Sequence, residues 1–113
     1  MNKSIHTILI SIMMLAFSSC KKEVVTELPL EEEKVVRILA DMHFAKSAAM
    51  VHKAEIRDSM KLVYESQVFT INEITRSQYD DLKQKLESNL KLYYDIEKKV
   101  HIYLKDVQNE INK

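Results

Sequence analysis

The chain of 113 residues has no glycine and no tryptophan, with one proline (Pro29) and one cysteine (Cys20). Each absence removes a class of structure. Without glycine, the positive-φ positions of tight hairpin turns have no natural occupant, so a fold built from short strands is disfavoured. The same lack removes the Gly-rich loops that cradle phosphates and the Gly-x-Ser-x-Gly elbow of serine hydrolases. One thiol makes no disulfide framework. Seventeen basic residues balance seventeen acidic ones, and no clustered basic face marks a nucleic-acid partner. The locally basic stretch from Lys83 to Lys99 interleaves Glu87, Asp95 and Glu97 among its lysines, the pattern of a solvated helix face.

What remains favours helix. Charged residues make up 30% of the chain and hydrophobic ones 46%, with Leu, Lys, Glu, Ile and Met prominent. The length allows one domain with a modest core.

The first twenty residues form a separate unit. Lys3 supplies a positive start, and Ile5 to Phe17 is mostly apolar. At roughly 1.5 Å per residue this run reaches about 20 Å as a helix, short of the ~20 residues that span a bilayer core. It has the proportions of a secretory signal. Ser18 and Ser19 then lead into Cys20. The run Leu15-Ala16-Phe17-Ser18-Ser19-Cys20 resembles a bacterial lipobox, departing from it at Phe17, where a smaller aliphatic is commoner. That resemblance implies a signal peptide at 1–19, a diacylglycerol thioether on the Cys20 thiol, cleavage before it, and acylation of the new amine. A buried thiol or an ordinary signal cleavage nearby are the competing readings, and Lys21-Lys22-Glu23 makes a core position a poor fit. Two or more acyl chains, at roughly 0.8 kcal/mol per buried methylene, hold a protein firmly on its membrane. The expected address is the cell envelope, at the outer membrane, with residues 20–29 as lipidated cysteine and charged tether. Removing Lys3 leaves the mature part about one unit acidic.

From residue 30 onward the period is helical. Glu31, Glu32 and Glu33 follow Pro29 and suit a first turn. Val35, Ile38, Leu39, Met42, Ala45, Ala49 and Val51 or His52 then predict an amphipathic helix over about 30–54, with small alanines that permit close approach. Ile56, Met60, Val63, Tyr64 and Val68 predict a second helix over about 56–68. Residues 69–74 lose the period and read as a connector, with Phe69, Ile71 and Ile74 plugging the core; a short strand is the alternative. Thr75 and Gln78 have capping-box form. Beyond them Tyr79, Leu82, Leu86, Leu90, Tyr93, Ile96, Val100, Tyr103 or Leu104, Val107 and Ile111 keep one phase. This is either one helix over 76–111 or two, broken at Ser88-Asn89 with Asn89 as cap. The expected fold is all-α, a small bundle of three or four helices.

Leu30 to Val100 resembles the DUF4296 family, small Bacteroidota lipoproteins of unassigned function. The resemblance is carried by Val36-Arg-Ile-Leu-Ala-Asp-Met-His-Phe-Ala45, Tyr64, Ile74-Thr75, Gln78-Tyr79-Asp80, Asn89, Ile96 and Val100. The family usually has Gly before its Ile-Thr pair and often Asn-Pro at the mid-helix junction; here the residues are Glu73 and Asn89-Leu90. The resemblance implies a fold and an address, and no activity.

Catalytic candidates are few. Asp41 and His43, two apart, point about 200° apart on a helix and cannot share one site on one face. No His-x-x-x-His or cysteine-containing set completes a metal site, and His43 is expected at the edge of a helix interface beside an acid. His52 and His101 are weaker candidates, and Asp80-Asp81 reads as a solvated face. Four of the five tyrosines (Tyr64, Tyr79, Tyr93, Tyr103) lie on the stripes and are expected in the core or at its rim, while Tyr94 lies off the stripe and could belong to an interface. No enzyme activity, cofactor or small-molecule substrate is expected. The favoured reading is a membrane-anchored interaction or scaffolding module with an envelope protein partner; a small-ligand carrier and an enzyme are the alternatives.

Overall fold

The computed structural model describes residues 28–113. Cys20, the signal reading and most of the tether lie outside the described residues. The domain is all-helical, with four helices in the order α1 (Glu32–Met50), α2 (Ala54–Ile71), α3 (Arg76–Glu87) and α4 (Leu90–Ile111). No strand occurs among the described residues.

Helix α1 lies between two neighbours, α2 and α4, and α3 packs on α4. The main core joins Val35, Val36 and Ala40 of α1 to Leu82 and Leu86 of α3 and to Ile96 and Val100 of α4. Leu28, inside the stretch read as tether, packs against this core with Leu30, Leu39, Leu92 and Leu104. On the other flank Ala45 and Ala49 are buried, and their small side chains let α2 approach, as the alanine pattern predicts.

Two boundaries differ from the sequence reading. Helix α1 ends at Met50 rather than near 54. The chain must reverse so that α2 can lie back along α1, and with no Gly or Pro to mark the reversal the periodicity runs past it. Val51, a possible stripe residue, is exposed at the turn. Helix α2 continues to Ile71, so the first half of the expected connector is helical. β-branched residues lower helix propensity only slightly, and Thr70 satisfies its hydroxyl on Ser66 O at 3.0 Å. Of the three expected core plugs Ile74 is buried, Phe69 half-buried and Ile71 73% exposed.

Helix α2 ends in a Schellman motif. Ile74 N donates to Phe69 O at 3.0 Å and Glu73 N to Thr70 O at 3.3 Å, which places Glu73 at the left-handed position with φ of 51°. It is the one positive-φ residue among those described.

The open question at Ser88-Asn89 resolves as a break. Asn89 Oδ1 accepts from Leu92 N at 3.1 Å, capping α4. The break also resets the helical phase. Leu90, in register with Leu86 by sequence, is 66% exposed, and Leu92 packs on the core in its place. The expected capping box is present, with Thr75 N donating to Gln78 Oε1 at 2.9 Å and Gln78 N to Thr75 Oγ1 at 3.1 Å.

Candidate interaction surface

The polar side chains that looked most chemical are held in separate places. Asp41 accepts from Asn72 Nδ2 at 2.8 Å, and Asn72, itself buried, also donates to Val68 O at 3.0 Å. This bond ties the middle of α1 to the end of α2. His43 points instead toward α4, where its Nε2 lies 3.7 Å from Glu97 Oε2 with both side chains substantially exposed. The two residues therefore serve opposite flanks of α1, as their 200° separation requires. His52, at the α1–α2 turn, shares a hydrogen bond of 2.9 Å between its Nε2 and Tyr64 Oη, the rings stacked at 6.0 Å. His101, Asp80 and Asp81 are exposed. Among the described residues no three His, Cys, Asp or Glu side chains gather in a metal-binding group.

A second polar group sits at the start of α1. Lys99 pairs with Glu32, and Glu33, Val36, Arg37 and Tyr103 line the same depression of about 400 Å³. Acids and bases alternate there, so no single sign of ligand charge is favoured.

The tyrosines divide. Tyr64 and Tyr79 are half-buried, as expected for the rim of a core. Tyr79 packs on Phe69 at 5.5 Å between ring centroids, and the Arg76 guanidinium covers the other aromatic partner, 5.2 Å from the Phe69 ring. Burial, and then the negative charges of Glu65 and Asp80, raise the Tyr79 phenol above its ordinary value, with Arg76 opposing. Tyr93 and Tyr103, expected in the core or at its rim, are exposed instead, and Tyr94 is 64% exposed. The phase reset at Asn89 turns the start of α4 so that Leu92 takes the inward position. Tyr93 and Tyr94 meet edge to face at 5.9 Å on the surface.

The largest departure from the sequence reading concerns α2. Its stripe of Ile56, Met60, Val63, Tyr64 and Val68 reads as a core stripe, yet only Val68 is buried. Ile56 and Val63 are exposed, with Leu62 and Ile71 beside them. Periodicity reports that a helix has an apolar face and says nothing of whether the fold supplies a cover for it. Helices α2 and α4 flank α1 without packing on each other, so the surface between them stays open.

Phe44 of α1 stands at the crest of that surface, half exposed. On one side lies a groove of about 240 Å³ between α1 and α2, lined by Ala45, Ala48, Tyr64, Gln67, Val68 and Ile71 with Asp41 at its end. On the other lies a groove of about 340 Å³ toward α4, lined by Leu104, Val107, Gln108 and Ile111. Apart from Asp41, which is occupied by Asn72, both grooves are lined without charge. The centres of protein–protein interfaces are depleted of charge in the same way.

No protein-family model, curated protein or solved structure matches the chain. No helix among the described residues is long and apolar enough to cross a membrane.

Proposed function

We propose that this chain is an envelope lipoprotein, anchored through acyl chains on Cys20, whose helical domain is a non-catalytic interaction module. The observation that carries the module reading is the uncharged apolar surface centred on Phe44, flanked by α2 and α4. Contiguous exposed apolar area of this kind is often functional and marks contact surfaces. The polar pairs support the same reading, because Asp41, His43 and His52 each have a partner in a different part of the fold. General acid–base or nucleophilic chemistry needs such groups to converge on one point. A small-ligand carrier would enclose its ligand, whereas these grooves are open to solvent. The anchor reading rests on the short apolar run before Cys20 and on the resemblance to the lipobox and to the DUF4296 family.

Two experiments test the two halves. Cells fed an alkyne fatty acid should label the chain, and Cys20→Ser should abolish the label; labelling that survives the substitution refutes lipidation at Cys20. Photo-crosslinking from position 44 in intact cells should capture a protein. Capture equal to that from an exposed control position such as Lys83 contradicts the module.

A further inference from the structure

We infer that the outer face of α2 is a self-association surface, on which a second copy of this chain packs with its own α2 antiparallel. The inference deepens the interaction reading above by naming the partner. Ile56, Met60, Val63, Gln67 and Ile71 follow one another at steps of four, three, four and four residues. That is close to the spacing of a seam that receives another helix, with a single polar residue of the kind that sets register. Val63 lies near the middle of this ridge, and a two-fold axis beside it lays Ile56 of one copy near Ile71 of the other and Met60 near Gln67.

Charge separates a second copy from an unrelated partner. Two-fold pairing brings a residue beside the axis close to its own counterpart, so any charge near the axis meets a like charge. In a chain that is 30% charged, the outward face of α2 from Ile56 to Ile71 carries none, its polar positions being Ser59, Ser66, Gln67 and Thr70. Of the five charged residues of the helix, Asp58, Lys61 and Glu65 lie away from this ridge, with Lys61 paired to Glu65 at 3.8 Å. Arg57 turns back to donate to His52 O at 3.3 Å, and Glu55 precedes the ridge in the first turn. Area is consistent with the same partner. Phe44, Ile56, Val63 and Ile71 are between 47% and 73% exposed. Together they leave on the order of 400 Å² of apolar surface, about half of the ~800 Å² that each partner contributes to a standard interface. Ser59, Ser66, Gln67 and Thr70 on the same face are also exposed and add to it.

The test uses the full chain. Purified in detergent, it should sediment as a dimer in the micromolar range, and Val63→Lys should weaken association by at least about tenfold by setting two ammonium groups against each other. Circular dichroism should be unchanged, since Val63 is half exposed. A monomeric unaltered chain, or a dimer indifferent to Val63→Lys, overturns the inference. If Val63→Lys loses its helical spectrum, disulfide trapping in isolated membranes decides instead. Val63→Cys should yield a linked pair and Lys83→Cys, on exposed α3, should not; equal linkage or none overturns the inference. The sedimentation readout does not depend on lipidation. A monomer that still captures another envelope protein ends self-association and leaves the module reading standing. A dimer that carries no lipid does the reverse to the anchor.

Discussion

Helix α1 has two flanks, and they are filled differently. Toward α3 and α4 it contributes Val35, Val36 and Ala40 to a core in which Leu82, Ile96 and Val100 are essentially inaccessible. Toward α2 it offers Ala45 and Ala49, and α2 answers with Val68 as its one buried side chain. Both flanks pair apolar stripes at helical spacing, so the difference lies in coverage. The α3–α4 flank has three helices converging on one point. The α2 flank has two, and a bond between Asp41 and Asn72 pins the open end. A closed flank carries folding stability, and an open one leaves surface for contact.

The same substitution on the two flanks should separate these roles most sharply. Ile96→Ala empties a fully buried site and should lower unfolding free energy by about 2–5 kcal/mol in urea titrations. Ile56→Ala, at a half-exposed site, should cost less than about 1 kcal/mol at concentrations too low for self-association. Equal losses would mean that α2 is covered as fully as α4. Next in size is the pin. Asn72→Ala leaves the Asp41 carboxylate half-buried without its donor and should destabilise by about 1–3 kcal/mol. In a double-mutant cycle, Asp41→Ala should recover part of that loss.

The helix ends sharpen the comparison further. Thr75→Ala and Asn89→Ala each remove a side-chain acceptor from a helix start and should each cost about 1 kcal/mol. The Asn89 change should also lower the barrier to a continuous α3–α4 helix, visible as added ellipticity. Glu73→Gly should act in the opposite direction. Relieving a left-handed non-glycine residue outweighs the added freedom of the unfolded chain, for a net gain of about 0.5 kcal/mol.

The smallest effect concerns Tyr79. Its phenol holds the proton more tightly in the folded state than in the unfolded chain. The stability from this difference is therefore whole below pH ~10 and declines as pH rises through the raised folded value. Tyr79→Phe should flatten that alkaline decline in thermal melts taken from pH 9 upward. An unchanged slope would place the alkaline sensitivity elsewhere.

Much of the architecture is legible in the residue pattern, for identifiable reasons. The start of α3 is written in Thr75 and Gln78, whose side chains each accept from the other's backbone N–H. Ala45 and Ala49 announce a close helix neighbour. What the pattern does not carry is anything set by a third element. The break at Asn89 stays one of two alternatives in the sequence because Leu86 and Leu90 keep register on a continuous helix, and only the fold shows Leu92 turned inward instead. The extension of α2 to Ile71 is silent because Phe69, Thr70 and Ile71 favour helix only weakly on their own. The exposure of the α2 stripe is silent too, since Ile56 and Val63 have the same spacing whether or not a neighbour covers them. The left-handed turn at Glu73 is silent as well, because glycine, the usual residue there, is absent from the chain.

The account stands most directly on the mature N-terminus. Mass spectrometry of the chain isolated from membranes should show it beginning at Cys20, with a diacylglyceryl group on sulfur and the mass of a further acyl chain on the amine. A chain beginning at Met1, with the Cys20 thiol free to alkylate, would contradict it.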